Sequence, residues 1–128
     1  MCHRLSITDD YGRTGRYCFV LAVTIFVVET TVDTYEQAQK IAHAVVNARL
    51  AACVQMHKIE SVYHWQGRIE QADEYILRMK TPAKLVGPAM NLIGEHHNYD
   101  TPEIIAYPLK RVNPDYRTWV LNECRPAS

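Results

Sequence analysis

The feature that most constrains the fold is an amphipathic helix signal placed between two apolar segments. Residues 19–28 form a continuous apolar run rich in β-branched side chains, which is typical of a strand in the middle of a sheet. Apolar residues then recur at helical spacing over residues 34–49, after Asp33 and Glu36, which together resemble a capping box. Residues 50–56 are apolar again. A strand, a helix and a second strand in this order predict a right-handed crossover between strands that run in the same direction.

A β-hairpin is predicted next. Residues 61–66 are rich in aromatic side chains and continue the strand begun at 50–56, with a bend expected near Lys58. Gly67 tolerates the positive φ of a tight turn, and residues 74–80 then alternate in polarity as a returning strand does.

The remaining segments complete an α+β pattern. A second helix is kinked at Pro88 or begins there, and residues 96–102 form a polar loop. Residues 103–109 predict a short strand, and Asn113 caps a last helix. The order β-α-β-β-α-β followed by a C-terminal helix predicts a ferredoxin-like split β-α-β sandwich.

Length and charge limit the domain organisation and the partners. The chain has 128 residues, enough for one domain. We expect a flexible N-terminal extension over residues 1–18 and a single domain over residues 19–128. Lys plus Arg and Asp plus Glu are balanced at 14 each, without a run of one sign, so we expect neither a nucleic acid nor a membrane surface as partner.

The cysteines and the N-terminal composition predict a cytoplasmic protein. The four cysteines form no C-x-x-C pair, which suits a reducing compartment. Residues 1–18 lack an apolar stretch, so no secretory signal is expected. Cys53 lies in an apolar strand and is expected to be buried and inert, whereas Cys124 is expected to be exposed near the terminus.

Several short motifs occur in order along the chain. They are Leu50-Ala51-Ala52-Cys53-Val54, Tyr63-x-Trp65-x-Gly67, Lys80-Thr81, His96 with Tyr99-x-x-Pro102-Glu103, and Tyr116-x-x-Trp119. With these motifs the chain resembles the CutA family of divalent-cation tolerance proteins, and the resemblance covers about residues 19–123. The resemblance implies a homotrimer of ferredoxin-like subunits, similar in build to PII signalling proteins. It also implies a role in tolerance of divalent metal ions, with copper foremost.

The resemblance implies metal ligands around the loop before the last strand. The metal-binding histidine and glutamate of the family correspond to His96 and Glu103, and His97 adds a second imidazole; such groups suit copper(II). The family's assisting cysteine is replaced here by Thr30, whose hydroxyl is a poorer ligand. The alternative is that His96 and His97 are exposed loop residues without a metal. We therefore expect no required cofactor, and copper(II) or another divalent ion as an optional ligand.

A second group of residues is placed by the resemblance around a cleft between subunits. Its members are Trp65, Lys80, Tyr99, Pro102, Glu103 and Trp119. The alternative to a ligand cleft is that these residues hold the trimer together through hydrogen bonds or ion pairs.

The resemblance implies two alternative functions. The first is a trimeric protein of divalent-ion tolerance that binds copper(II) through His96 and Glu103. The alternative is a PII-like scaffold whose cleft between subunits takes a small anionic molecule, with Lys80 involved, or a segment of a protein partner. No nucleophile elbow, zinc-protease motif or phosphate loop is present, so no enzymatic activity is expected.

Overall fold

The computed structural model describes residues 4–8, 14–18 and 24–125. In chain order the helices and strands are β1 (Arg4–Thr8), β2 (Thr14–Cys18), β3 (Ile25–Val32), α1 (Tyr35–Asn47), β4 (Cys53–Trp65), β5 (Arg68–Pro82), a short 3-10 helix (Ala83–Leu85), α2 (Val86–His96), β6 (Ile104–Pro108) and α3 (Pro114–Glu123). Within the described residues, no helix is both long enough and apolar enough to span a bilayer.

The main sheet has four strands in the order β4-β5-β3-β6, and each neighbouring pair is antiparallel. The chain passes from β3 to β4 through α1 and from β5 to β6 through α2, so two β-α-β units interleave. This is the ferredoxin-like split β-α-β fold, and the prediction of that fold is confirmed.

The core lies between the sheet and its helices. Side chains alternate across a strand, and Val28 of β3 and Met79 of β5, which pair with each other, both point toward the helices. They pack against Ile41 of α1 and Ile93 of α2, and none of the four is exposed by more than 1%. Burying a side chain of this size contributes roughly 1.5–3 kcal/mol. The helix-spaced residues of the sequence therefore form the inner face of the domain.

Helix α1 begins with a different cap from the one predicted. Thr34 is the N-cap, and its hydroxyl accepts a hydrogen bond from the backbone N–H of Gln37 at 3.1 Å. Asp33, predicted as the cap, lies one residue earlier. The helix ends at Asn47 because Arg49 has a φ of 57°, which the α-helix cannot contain.

The first strand of the domain is displaced from its predicted position at residues 19–28. It spans Ile25–Val32, and residues 19–23 lie outside the described residues. The strand continues through Thr30 and Thr31 because both pair with β5, and both threonines are buried. The apolar run therefore ends earlier than the backbone pairing does.

Strand β4 begins later than predicted, at Cys53 instead of Leu50. The carbonyl of Leu50 accepts a hydrogen bond from the hydroxyl of Thr81, which is fully buried, and this bond holds the chain in a turn before the strand. The ladder between β4 and β5 then runs through Lys58 without a break in register.

Helix α2 starts at Val86, two residues before Pro88. Pro88 lies in the first turn of the helix, where a backbone N–H has no partner within the helix, so its missing donor costs nothing there. The prediction gave a kink at Pro88 or a start at Pro88 as alternatives, and both are wrong.

The N-terminal segment contains two strands. Strands β1 and β2 pair with each other in the segment predicted to be a flexible extension; the domain boundary at residue 18 stays a prediction.

Cys53 is half-buried, and its Sγ lies 3.4 Å from the Tyr116 hydroxyl. Cys124 is only 3% exposed, so the expectation of an exposed thiol is wrong, and burial raises its pKa to about 11.

Candidate functional site

The strand side chains that alternate with the core residues form the opposite face of the sheet, which we call the open face. Four aromatic or aliphatic side chains on this face are between 39% and 44% exposed: Tyr63, Trp65, Ile105 and Tyr107. The Glu29 carboxylate lies among them and accepts hydrogen bonds from Arg78 at 3.0 Å and from the Tyr107 hydroxyl at 2.6 Å. The open face therefore combines exposed apolar groups with polar groups that already have partners.

A two-stranded arm extends from the sheet. Pairing between β3 and β5 ends at Val32 with Tyr75, so residues 59–65 and 68–74 pair only with each other. The turn at the tip consists of Gln66 and Gly67, with φ values of 51° and 77°, as a type I′ hairpin turn requires.

The arm and the loop over residues 98–103 border a partly open cavity of about 720 Å³ on the open face. Its lining residues are Thr31, Ile59, Ser61, Tyr63, Trp65, Glu74, Ile76, Asn98, Tyr99, Asp100, Thr101 and Glu103. Three of the predicted cleft residues, Trp65, Tyr99 and Glu103, therefore meet in one place.

The other three predicted cleft residues do not line this cavity. Lys80 lies near the other end of the sheet, where it pairs with Cys53 and its ammonium donates to the Gln55 side chain. Trp119 lies on α3, where its ring packs against that of Tyr116, with the two ring centroids 5.6 Å apart. Pro102 lies in the loop between two lining residues without lining the cavity itself. Within one chain these three residues do not join the others at the cavity, and the predicted cleft between subunits stays a prediction.

Glu74 is a cavity residue that the sequence reasoning missed. Its side chain is 6% exposed, and its Oε2 accepts a hydrogen bond from the Tyr99 hydroxyl at 2.8 Å. Burial, together with this carboxylate, raises the pKa of Tyr99 well above its ordinary value, so the phenol remains a donor at neutral pH. The one sequence signal that could have identified Glu74 is its position as a carboxylate within the alternating pattern of the returning strand.

His97 is held between two backbone groups. Its Nδ1 accepts a hydrogen bond from the backbone N–H of Tyr99 at 3.1 Å, and its Nε2 lies 2.9 Å from the carbonyl oxygen of Thr31. Because the carbonyl can only accept, the proton resides on Nε2, and the ring is a neutral donor there. Neither nitrogen keeps a lone pair for a metal ion in this geometry. His97 instead positions the loop that carries Tyr99.

The two leading candidates for metal binding occupy different surroundings. His96 is the last residue of α2, and its backbone carbonyl accepts from the Gln37 side chain. Glu103 is exposed and lines the cavity, while its backbone carbonyl accepts from the Thr30 hydroxyl at 2.7 Å. Thr30 is thus engaged in a structural bond at the position where the resemblance implies a thiol. In the described part of the chain, no three His, Cys, Asp or Glu side chains lie close enough to hold a metal ion.

Comparison with known proteins identifies the family. The family profile described as "CutA1 divalent ion tolerance protein" matches residues 26–123. The chain belongs to this family. The family is described by ion tolerance and not by an enzymatic reaction.

Individual relatives agree with this assignment. The chain is 38% identical over 104 residues to "Protein CutA, chloroplastic" of Arabidopsis thaliana, a match that covers 80% of this chain and 57% of that one. It is 33% identical over 101 residues to "Divalent-cation tolerance protein CutA" of Pyrococcus horikoshii, which covers 79% and 99% of the two chains. The solved structure of CutA1 from Oryza sativa superimposes with a TM-score of 0.79 at 35% identity, over 84% of this chain and 99% of that one. The chain spans only 57% of the length of its Arabidopsis relative and 48% of that of its mouse relative.

Tyr99→Phe tests the hydrogen bond between the Tyr99 hydroxyl and the Glu74 carboxylate. We expect a free energy of unfolding lower by about 1–2 kcal/mol near neutral pH, because the Glu74 carboxylate loses its donor. Since folding raises the pKa of Tyr99, the wild type has this contribution in full below a pH of about 10 and loses it as the pH rises further. The difference between the two proteins should therefore shrink in strongly alkaline solution.

Urea unfolding followed over a series of pH values measures this difference. Glu74→Gln, which removes the carboxylate charge, is the matched variant and should itself reduce the wild-type dependence on alkaline pH. If the difference in free energy of unfolding between wild type and Tyr99→Phe stays constant up to the highest pH, the hydrogen bond between Tyr99 and Glu74 does not make the proposed contribution.

Proposed function

We propose that the protein acts in divalent-cation tolerance as a homotrimer whose cleft, at the cavity on the open face, senses a ligand. The family description and the name of the Pyrococcus horikoshii relative support the tolerance role. The observation that carries the sensing role is the cavity itself, since about 720 Å³ is a typical volume for a small-molecule pocket. A binding role also agrees with a sequence that has no catalytic motif. We further propose a cytoplasmic location, which the scattered cysteines support.

The open face supports the assembly. Ile105 and Tyr107 are 44% and 39% exposed on the short strand β6, and neighbouring exposed apolar groups favour a protein contact. The Glu29 carboxylate on the same face already accepts bonds from Arg78 and Tyr107, so burying it costs less than burying an unpaired charge. β4 and β6 are the edges of the sheet and offer backbone groups for pairing with another copy.

Ile105→Lys tests the assembly. The wild type should give a mass by light scattering of three times 14.7 kDa, and the variant a lower mass, because a buried lysine in the contact has no partner. Val46→Lys is the control, since Val46 is 40% exposed on α1 at the helical side of the domain and its variant should keep the wild-type mass. A wild-type mass of one chain would refute the homotrimer.

A thermal-shift screen of metabolites, carried out with EDTA, tests the sensing role. At least one compound should raise the melting temperature of the wild type, because a ligand that binds only the folded state stabilises it. Trp65→Ala should abolish the shift, since Trp65 lines the cavity, and Trp119→Ala should retain it, since Trp119 does not. A shift that survives Trp65→Ala would place the ligand elsewhere and contradict the cleft.

Direct copper binding is the second candidate function. The favouring observation is the position of His96 at the C-terminus of α2, where the helix dipole stabilises a bound cation. In the described part of the chain its imidazole has no hydrogen bond, and Glu103 offers an exposed carboxylate. Two such ligands per chain support weak binding only.

Calorimetric titration with copper(II) chloride tests this candidate. We expect weak saturable binding by the wild type that His96→Ala removes, because the imidazole is the main ligand. His43→Ala, which removes an exposed histidine from the middle of α1, should bind as the wild type does. Equal binding by the wild type and His96→Ala would exclude His96 as a ligand.

A further inference from the structure

We infer that the cavity binds a small organic cation, an ammonium or guanidinium group on a short apolar stem, and not the anionic molecule predicted from the sequence. This rests on the proposed function, because it names the ligand class of the same cleft. Three observations carry it: the sign of the lining charges, an accessible carboxylate oxygen of Glu74 without a hydrogen bond, and the aromatic walls.

The charges of the lining favour a cation. Glu74, Asp100 and Glu103 are its charged members, and no Lys, Arg or His is among the described residues that line it. Lys80, the cation expected to hold an anionic ligand, is engaged with Gln55 outside the cavity. An anion in this cavity would meet carboxylates without a counter-charge, whereas a cation would be attracted by all of them.

Glu74 supplies a positioned acceptor. Its side chain is more than nine-tenths buried, and Oε2 is occupied by the Tyr99 hydroxyl. Oε1 has no hydrogen bond, yet every fully buried side-chain oxygen in the described part of the chain has a partner. Oε1 therefore retains access to the cavity that Glu74 lines. A ligand N–H donor at this oxygen would complete the carboxylate's hydrogen bonding.

The remaining walls match an organic cation better than a metal ion. Tyr63, Trp65 and Tyr99 line the cavity, and aromatic rings attract a cation that lies over them. Ile59 and Ile76 add apolar surface for a carbon stem. A metal ion would use none of this apolar surface. The carboxylates also do not converge into a set of three metal ligands within the described residues.

Tryptophan fluorescence provides a direct binding test. Trp119→Phe removes the tryptophan that lies outside the cavity, so the signal in this background reports Trp65. The homotrimer is titrated in EDTA with agmatine, which carries an ammonium and a guanidinium group on a short carbon chain. Butane-1,4-diol and succinate are the neutral and anionic controls. We expect saturation with agmatine and none with either control.

Two carboxylate variants in the same background locate the cation. Glu74→Gln keeps the shape of the side chain and should weaken agmatine binding about tenfold or more, because a charge-assisted hydrogen bond is lost. Glu103→Gln should also weaken it, which keeps the test decisive if the buried substitution at Glu74 does not fold. Glu60→Gln, on an exposed residue of β4 that does not line the cavity, should bind as the background does.

Several results would overturn the inference. These are absence of saturation with agmatine, equal responses to agmatine and succinate, or unchanged affinity in both Glu74→Gln and Glu103→Gln. Binding that occurs only after Ile105→Lys dissociates the trimer would also overturn it, because a neighbouring copy would then fill the cavity. If agmatine fails but the metabolite screen yields a ligand that depends on Trp65, the organic-cation inference is wrong and the sensing role stands.

Discussion

The antiparallel ladder between β4 and β5 is the constraint on which the rest of the structure depends. It runs without a bulge from Cys53 opposite Lys80 to Trp65 opposite Arg68. Because side chains alternate, Leu77 enters the core while its neighbours on β5 face the open side. A slip of one residue would exchange the two sets and remove the core and the cavity together. The stability of the domain and the shape of its cavity therefore depend on a single register.

The order of elements was predictable because it follows from local patterns. Helical spacing, alternating polarity and a turn glycine act over a few residues, and they predict the presence and order of the helices and the hairpin, though not the start of α2. The strand ends were not predictable in this way. Strand β3 continues past its apolar run because Thr30 and Thr31 pair with residues of β5 that lie far away in the sequence. The late start of β4 likewise reflects the bond from Thr81 to Leu50. Contacts between residues far apart in sequence leave no local signal.

The candidate site was predictable in part for the same reason. The family resemblance named Trp65, Tyr99 and Glu103, which do meet in the cavity. It could not distinguish Lys80, which is also in a strand, because only the register places that residue at the other end of the sheet. Glu74 was missed because a carboxylate in an alternating strand is ordinarily exposed; here a loop from another part of the chain covers it. The loop itself depends on His97, which joins it to β3 through one hydrogen bond to Thr31 of that strand and one to Tyr99 of the loop.

The arm leaves the four-stranded sheet at Tyr75 and pairs only with itself beyond that point. Its length is therefore independent of the core, and evolution can lengthen or shorten it without disturbing the packing beneath the helices. Because neighbouring side chains face opposite ways, only changes of two residues per strand keep the same lining on the inner wall. One hairpin can thus change the depth of the cavity in discrete steps, with the two-residue turn at Gln66 and Gly67 carried unchanged to each new tip.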